Sequence, residues 1–219
     1  MNIFKNPAWI KNYEYPFQNL KEVPQEVFDD INKNLDRIAL MGSPLVSIVI
    51  TAYNEEVAIL RTVSSLANLK TIIPYEIVIV NNNSNDDTQI TLDRLHTPNF
   101  FQPIQGWGPG RQMGMENAKG KFLLLADANC IYSKDWLTEM IKGLETPGVV
   151  SVYGRYRFIA QKGFARWQLS LLEYSKDVMA EIRHVKRPFL NSYGMSMGFI
   201  KELGLKEGFY MNKTHGEDG

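Results

Sequence analysis

The pattern of apolar and polar positions changes at Gly42-Ser43-Pro44. Before it, Val27, Phe28, Ile31, Leu35 and Ile38 recur at helical spacing, which predicts an amphipathic helix over Gln25 to Leu40. That helix belongs to an N-terminal arm, residues 1–43, expected to pack on the main domain. After it come short, uninterrupted apolar runs: Leu45 to Ala52 (LVSIVITA), Tyr75 to Val80 (YEIVIV) and Lys121 to Ala126 (KFLLLA). Continuous runs of this length read as strands covered on both faces. Val149 to Tyr153 and Met195 to Ile200 read as two more strands. Helical periodicity fills the intervals. Val57, Leu60, Val63 and Leu66 form one stripe, with Asn54 expected as its cap and Glu55 and Glu56 in its first turn. Further helices are predicted up to Leu95, from Arg111 to Ala118 after a loop with Gly106, Gly108 and Gly110, up to Leu144 with Ser133 as its cap, and from Phe164 to His184. Strands alternating with helices predict an α/β domain over 44–219, a Rossmann-like, mostly parallel sheet flanked by helices.

Charge and composition narrow the class. The 24 basic side chains are matched by 24 acidic ones, which argues against a general nucleic-acid binder. A single cysteine excludes an intramolecular disulfide framework and a Cys-based zinc site. No apolar run approaches the roughly 18 residues that a membrane span needs. The opening MNIFKNPAWIKNYEYPF is too polar for a secretory signal. The expectation is a cytoplasmic protein, with contact at the inner face of the membrane left open.

Ligands of open α/β sheets bind beyond the carboxyl ends of the strands. Three successive strand ends are polar here: Thr51-Ala52-Tyr53-Asn54-Glu55, Asn81-Asn82-Asn83-Ser84 and Asp127-Ala128-Asn129. Side by side, they would offer an aromatic face for stacking, amides for a base edge, and oxygens for a hard cation. That inventory suits a nucleoside diphosphate held through Mg or Mn.

The segments VSIVITAYNEE, EIVIVNNNSNDDT, GPGRQMGMENAKGKFLLLADAN and SKDWL, in this order, resemble the nucleotide-binding half of a family 2 glycosyltransferase with the GT-A fold. The resemblance implies that Thr51, Tyr53 and Glu55 contact base and ribose, and that Arg111 lies close to base or diphosphate. Asn82 stands where relatives often carry an Asp that reads the base, which leaves the base open, uridine included. Asp127-Ala128-Asn129 takes the place of the family's DxD motif, so Asp127 and Asn129 are the implied metal ligands. An amide at Asn129 can coordinate Mn or Mg but lacks the charge that raises affinity, so weaker binding is expected. The run Gly216-Glu217-Asp218-Gly219 resembles the acidic pair that supplies the catalytic base, implying Asp218 as base with Glu217 beside it.

By resemblance, residues 44–135 form the donor half and 136–219 the acceptor half, expected to be truncated at its C-terminus. Asn191 to Met197 would lie near the donor sugar and the acceptor entry. Arg166-Trp167 and the stretch from Arg183 to Arg187 read as a solvated helix face, or as a fit to an anionic lipid-linked acceptor. The implied reaction moves a sugar from a nucleoside diphosphate donor to a saccharide or lipid-linked hydroxyl, with inversion, in polysaccharide or glycoconjugate synthesis. A non-catalytic nucleotide-sugar scaffold is the alternative, kept open by Asn82 and Asn129. A nucleotidylyltransferase would need a Gly-rich, Arg-containing loop where TAYNEE stands. A dinucleotide-dependent dehydrogenase would need GxGxxG after a strand, and none occurs.

Overall fold

A computed structural model describes residues 5–160, 163 and 165–211. Its order is α1 (Gln25–Ala39), β1 (Val46–Ala52), α2 (Ala58–Ala67), β2 (Tyr75–Asn81), α3 (Thr88–Asp93), β3 (Asn99–Phe101), α4 (Trp107–Asn117), β4 (Phe122–Asp127), α5 (Trp136–Leu144), β5 (Ser151–Tyr153), α6 (Arg166–Lys186), β6 (Ser196–Ile200) and α7 (Lys201–Glu207). The strands form one six-stranded sheet in the order β3-β2-β1-β4-β6-β5. The first four run parallel, and β6 lies antiparallel to both β4 and β5.

Parallel neighbours need a crossover, and helices supply it while covering the sheet. Alternation along β1 sends Val46, Ile48 and Ile50 to one face and Val49 to the other. The first face meets Phe28, Ile31 and Leu35 of α1, Leu60 and Val63 of α2, and Leu137 of α5. The second face is smaller, with Val78 and Leu125 packed around Met115 of α4. Phe28 is fully buried and Ile31 nearly so, each contributing about 1.5–3 kcal/mol by leaving water.

The expected α/β class and mostly parallel sheet are found, and the structure corrects several local expectations. Asn54 does not cap α2. It sits in a left-handed turn at φ 56°, its side-chain oxygen accepts from the Asn85 N–H at 2.8 Å, and the helix begins only at Ala58. Glu55 and Glu56 therefore lie in a turn rather than in the first helical turn. The glycine segment before Arg111 is not a free loop, because α4 starts at Trp107 and contains Gly108 and Gly110. Helix α5 begins at Trp136, with its backbone N–H donating to the Ser133 carbonyl, so Ser133 supplies a backbone acceptor and not a side-chain cap. Strand β3 was not expected, since three residues carry no readable alternation.

Candidate functional site

Sheet register brings the three polar strand ends together. Thr51 pairs with Asp127 on β4 and with Val80 on β2, and Ala52 pairs with Asn81. Strand β1 is thus flanked by β2 on one side and β4 on the other, the switch point where an α/β sheet opens a crevice. A cavity of about 440 Å³ lies there, and its walls include Thr51, Tyr53, Glu55, Asn82, Asp127 and Asn129. Gln105, Gly106, Trp107 and Ala128 line it as well.

The loops around the cavity are stitched to one another. The Asn54 N–H donates to Ser84 Oγ at 3.0 Å, and the Ser84 N–H donates to Asn81 Oδ1 at 3.0 Å. The Glu55 N–H reaches Thr88 Oγ1 at 2.9 Å. Asn54 and Asn83 both adopt the left-handed region, which asparagine tolerates better than most residues. These contacts fix Tyr53, 41% exposed, at the rim of the cavity.

Asn82 has a role that its position in the sequence did not disclose. Its amide nitrogen donates to the Gly106 carbonyl at 2.9 Å, and its oxygen accepts the Gly106 N–H at 3.2 Å. The side chain therefore clamps the backbone that carries Trp107, the second aromatic wall, itself half exposed. Gly106 has φ 155° and ψ 154°, a conformation nearly confined to glycine. Only an amide can serve both partners, because an ionised carboxylate has no proton to give.

Helix α4 approaches β1 closely because Gly110 has no side chain. A Cβ there would stand 2.4 Å from Thr51 Cγ2. Thr51 Oγ1 is buried and has no hydrogen-bond partner among the described residues. Arg111 is buried at 4% exposure, with its guanidinium carbon 5.3 Å from the Trp107 ring centroid. The cavity lining does not include it.

The Asp127-Ala128-Asn129 turn is held from below. The Asp127 N–H donates to the Tyr132 hydroxyl at 2.9 Å, and that hydroxyl donates to the Met195 carbonyl at 2.7 Å. Thr62 Oγ1 lies 2.8 Å from the carbonyl oxygens of both Ala128 and Cys130, which share its proton. Burial drives the Tyr132 hydroxyl well above its ordinary range, so it stays protonated as a fixed donor. Neither Tyr132 nor Thr62 stood out in the sequence, because their partners are brought to them only by the fold, 63 and 66 positions away. The Cys130 thiol is raised to about 11, chiefly by burial and then by Asp127 and Glu55, which fits an inert packed side chain.

Above the turn, Asn129 Nδ2 donates to Glu55 Oε1 at 3.0 Å. Burial raises the Glu55 carboxyl above its usual value, the Asn129 bond opposes that, and the charges of Asp86 and Asp127 add to it. No cluster of three or more His, Cys, Asp or Glu able to hold a metal ion occurs among the described residues. Among the oxygens that line the cavity, the carboxylates of Glu55 and Asp127 and the amide oxygen of Asn129 are of the kind a hard cation takes, with Asp127 and Asn129 in one turn. Two such ligands suit an ion that takes its remaining oxygens from a diphosphate and water. The pair Glu217 and Asp218, implied as catalytic base by the resemblance of the GEDG run, lies outside the described residues.

Comparison with known proteins gives the family and the fold. The profile of the family described as Glycosyl transferase family 2 matches residues 47–203. Over 120 residues the chain is 33% identical to EpsH of Bacillus subtilis (strain 168), whose name places it among glycosyltransferases; the match covers 52% of this chain and 35% of that protein. Among solved structures, S. aureus TarS 1-349 in complex with UDP-GlcNAc superposes with a TM-score of 0.57 at 18% identity, covering 79% of this chain and 51% of that one. The mannosyltransferase PcManGT from Pyrobaculum calidifontis, in complex with GDP-Man and Mn2+, gives 0.56 at 16% identity, covering 88% and 58%. These structural likenesses show the GT-A fold. The chain spans about a third of EpsH and little more than half of the two solved structures.

Proposed function

Because the chain belongs to glycosyl transferase family 2, we propose that its cavity holds a nucleoside diphosphate sugar and that the protein transfers the sugar to a hydroxyl acceptor. The observation that carries this reading is the meeting of Thr51, Tyr53, Asn82 and Asp127 in one crevice at the carboxyl edge of the sheet. Tyr53 and Trp107 present two partly exposed aromatic surfaces in that crevice, suited to a base ring at small entropy cost. Thr51 Oγ1 gains a partner if the base or ribose offers one, which removes the penalty of a buried unpaired hydroxyl. With both ends of its amide bound to Gly106, Asn82 shapes the pocket wall, and base selection falls to the groups around it.

Asp127 and Asn129 are assigned to a divalent cation, Mn or Mg. When bound, that cation supplies positive charge against the diphosphate oxygens. The remaining work falls to the chain. Asp218, with Glu217 beside it, is assigned as general base on the resemblance of the GEDG run. Its carboxylate takes the proton from the acceptor hydroxyl as that oxygen bonds to the anomeric carbon. The bond from that carbon to the diphosphate oxygen breaks on the opposite side, its electron pair leaves with the diphosphate, and configuration inverts. The acceptor is a saccharide or lipid-linked hydroxyl, in polysaccharide or glycoconjugate synthesis.

Thermal melts with UDP, GDP and dTDP, with and without Mn2+, test the donor site. A nucleotide at a hundred times its dissociation constant should raise the melting temperature by on the order of 5 °C. The variant Asp127→Asn should lose the Mn2+-dependent part of that rise. Asp218→Asn should keep the rise while losing transfer and donor hydrolysis. No shift with any nucleotide would overturn the assignment, and a shift without hydrolysis or transfer by the unaltered chain would favour the non-catalytic scaffold.

A further inference from the structure

Helix α6 is patterned opposite to α1. Among its side chains only Arg166 and Glu173 are buried, and both are charged. They bond to each other at 2.8 Å, and Glu173 also accepts the Phe158 N–H at 2.7 Å. On the same inward side, Arg157 pairs with Asp177 at 2.6 Å, and Lys176 Nζ donates to the Tyr156 carbonyl at 3.0 Å. The outward side is apolar. Trp167, Leu171, Tyr174, Val178, Ile182 and Val185 recur every three or four residues and are 43% to 83% exposed. At 1.5 Å per residue this stripe runs about 27 Å, or about five turns. At 100° per residue its members fall within about 80° of arc, and no charged residue shares that sector.

Charge identifies what covers the stripe. All three carboxylates of the helix are engaged: Glu173 by Arg166, Asp177 by Arg157, and Glu181 by Arg155. Lys186 lies in the last turn and Arg187 follows it, while Arg183 lines a cavity with Asn191 and Tyr193, His184 Nδ1 lies 2.7 Å from the Tyr153 hydroxyl, and the first turn has no acidic residue. No carboxylate pairs with Arg183, Lys186 or Arg187 among the described residues. A second copy packed antiparallel would set these cations against an end that lacks acids, and a parallel copy would set them against each other. An anionic surface meets both halves of the pattern. Apolar side chains with an aromatic pair enter the boundary between headgroups and acyl chains, and cations at one end face the headgroups.

We infer that α6 lies on the surface of an anionic bilayer, its stripe from Trp167 to Val185 immersed and its basic end against acidic headgroups. This mode is docking and not spanning, since no described helix is long and apolar enough to cross a membrane. The inference is independent of the sugar-transfer reading, because it uses none of the cavity residues.

Co-sedimentation of the chain with lipid vesicles tests it. Vesicles of phosphatidylcholine containing about one third phosphatidylglycerol should pellet the protein, while pure phosphatidylcholine should retain far less, and added salt should release it. Lys186→Gln with Arg187→Gln should weaken partitioning by roughly tenfold or more. Leu171→Ser with Ile182→Ser, both at exposed positions, should weaken it at least as much while leaving the melting temperature unchanged. Failure of the unaltered chain to bind anionic vesicles would overturn the inference. So would undiminished binding by the Ser variant, or a lipid-free dimer in sedimentation equilibrium that the Ser variant breaks.

Discussion

Helices α1 and α6 carry the same kind of periodic apolar stripe and use it in opposite ways. In α1 the stripe of Phe28, Ile31, Leu35 and Ile38 points into the core and is almost wholly buried. In α6 the stripe points outward, and the inward side is a row of ion pairs against the segment of residues 155–158. Periodicity reports that a helix has two faces. Which face is inside depends on whether the neighbouring segment offers apolar surface or counter-charges.

The largest test of that contrast removes comparable aromatics from the two stripes. Phe28→Ala should cost about 3–5 kcal/mol of unfolding free energy, because it empties a site in the core. Tyr174→Ala should fall within about 0.5 kcal/mol, as at an exposed position. Urea unfolding of both variants measures the difference, and equal losses would mean that α6 is packed like α1. A smaller effect follows at the inward side of α6. Glu173→Gln keeps the shape but leaves Arg166 without its counter-charge, at a cost of about 3 kcal/mol by the same measurement. An unchanged stability would show that the ion pair does not hold the helix in place.

The smallest effect lies in the cavity. Burial raises the Glu55 carboxyl, so the folded chain holds that proton more tightly than the unfolded one. The resulting stability is fully present below the unfolded value and is lost as pH rises through the folded one. Glu55→Gln should therefore melt slightly higher than the parent at neutral pH, and the gap should close on acidification past the ordinary carboxylate range. Parallel melts across that range check it, and a lower neutral melting temperature would contradict the assigned cause.

Much of the parallel core was legible because buried strands write themselves as unbroken apolar runs, and β1, β2 and β4 lie within a residue or two of LVSIVITA, YEIVIV and KFLLLA. The rim of polar strand ends was legible for the same reason, since each polar residue follows directly on such a run. What escaped depended on the third dimension. The Asn82 clamp on Gly106 joins residues 24 positions apart, and Tyr132 reaches Met195 across 63. Asn54 resembles a helix cap in one dimension, yet its oxygen goes to Asn85 on the neighbouring loop. The inverted facing of α6 was hidden too, because its counter-charges Arg155 and Arg157 come from the segment that precedes it.

The sheet also has a consequence at its two borders. Both outermost strands, β3 and β5, are only three residues long. So short a ladder gives an incoming strand too few backbone partners to repay its ordering, which discourages stacking of copies into fibrils through the sheet. Concentrated solutions of this protein should therefore cloud, when they do, through adhesion of greasy helical surfaces and without the cross-β signature of amyloid.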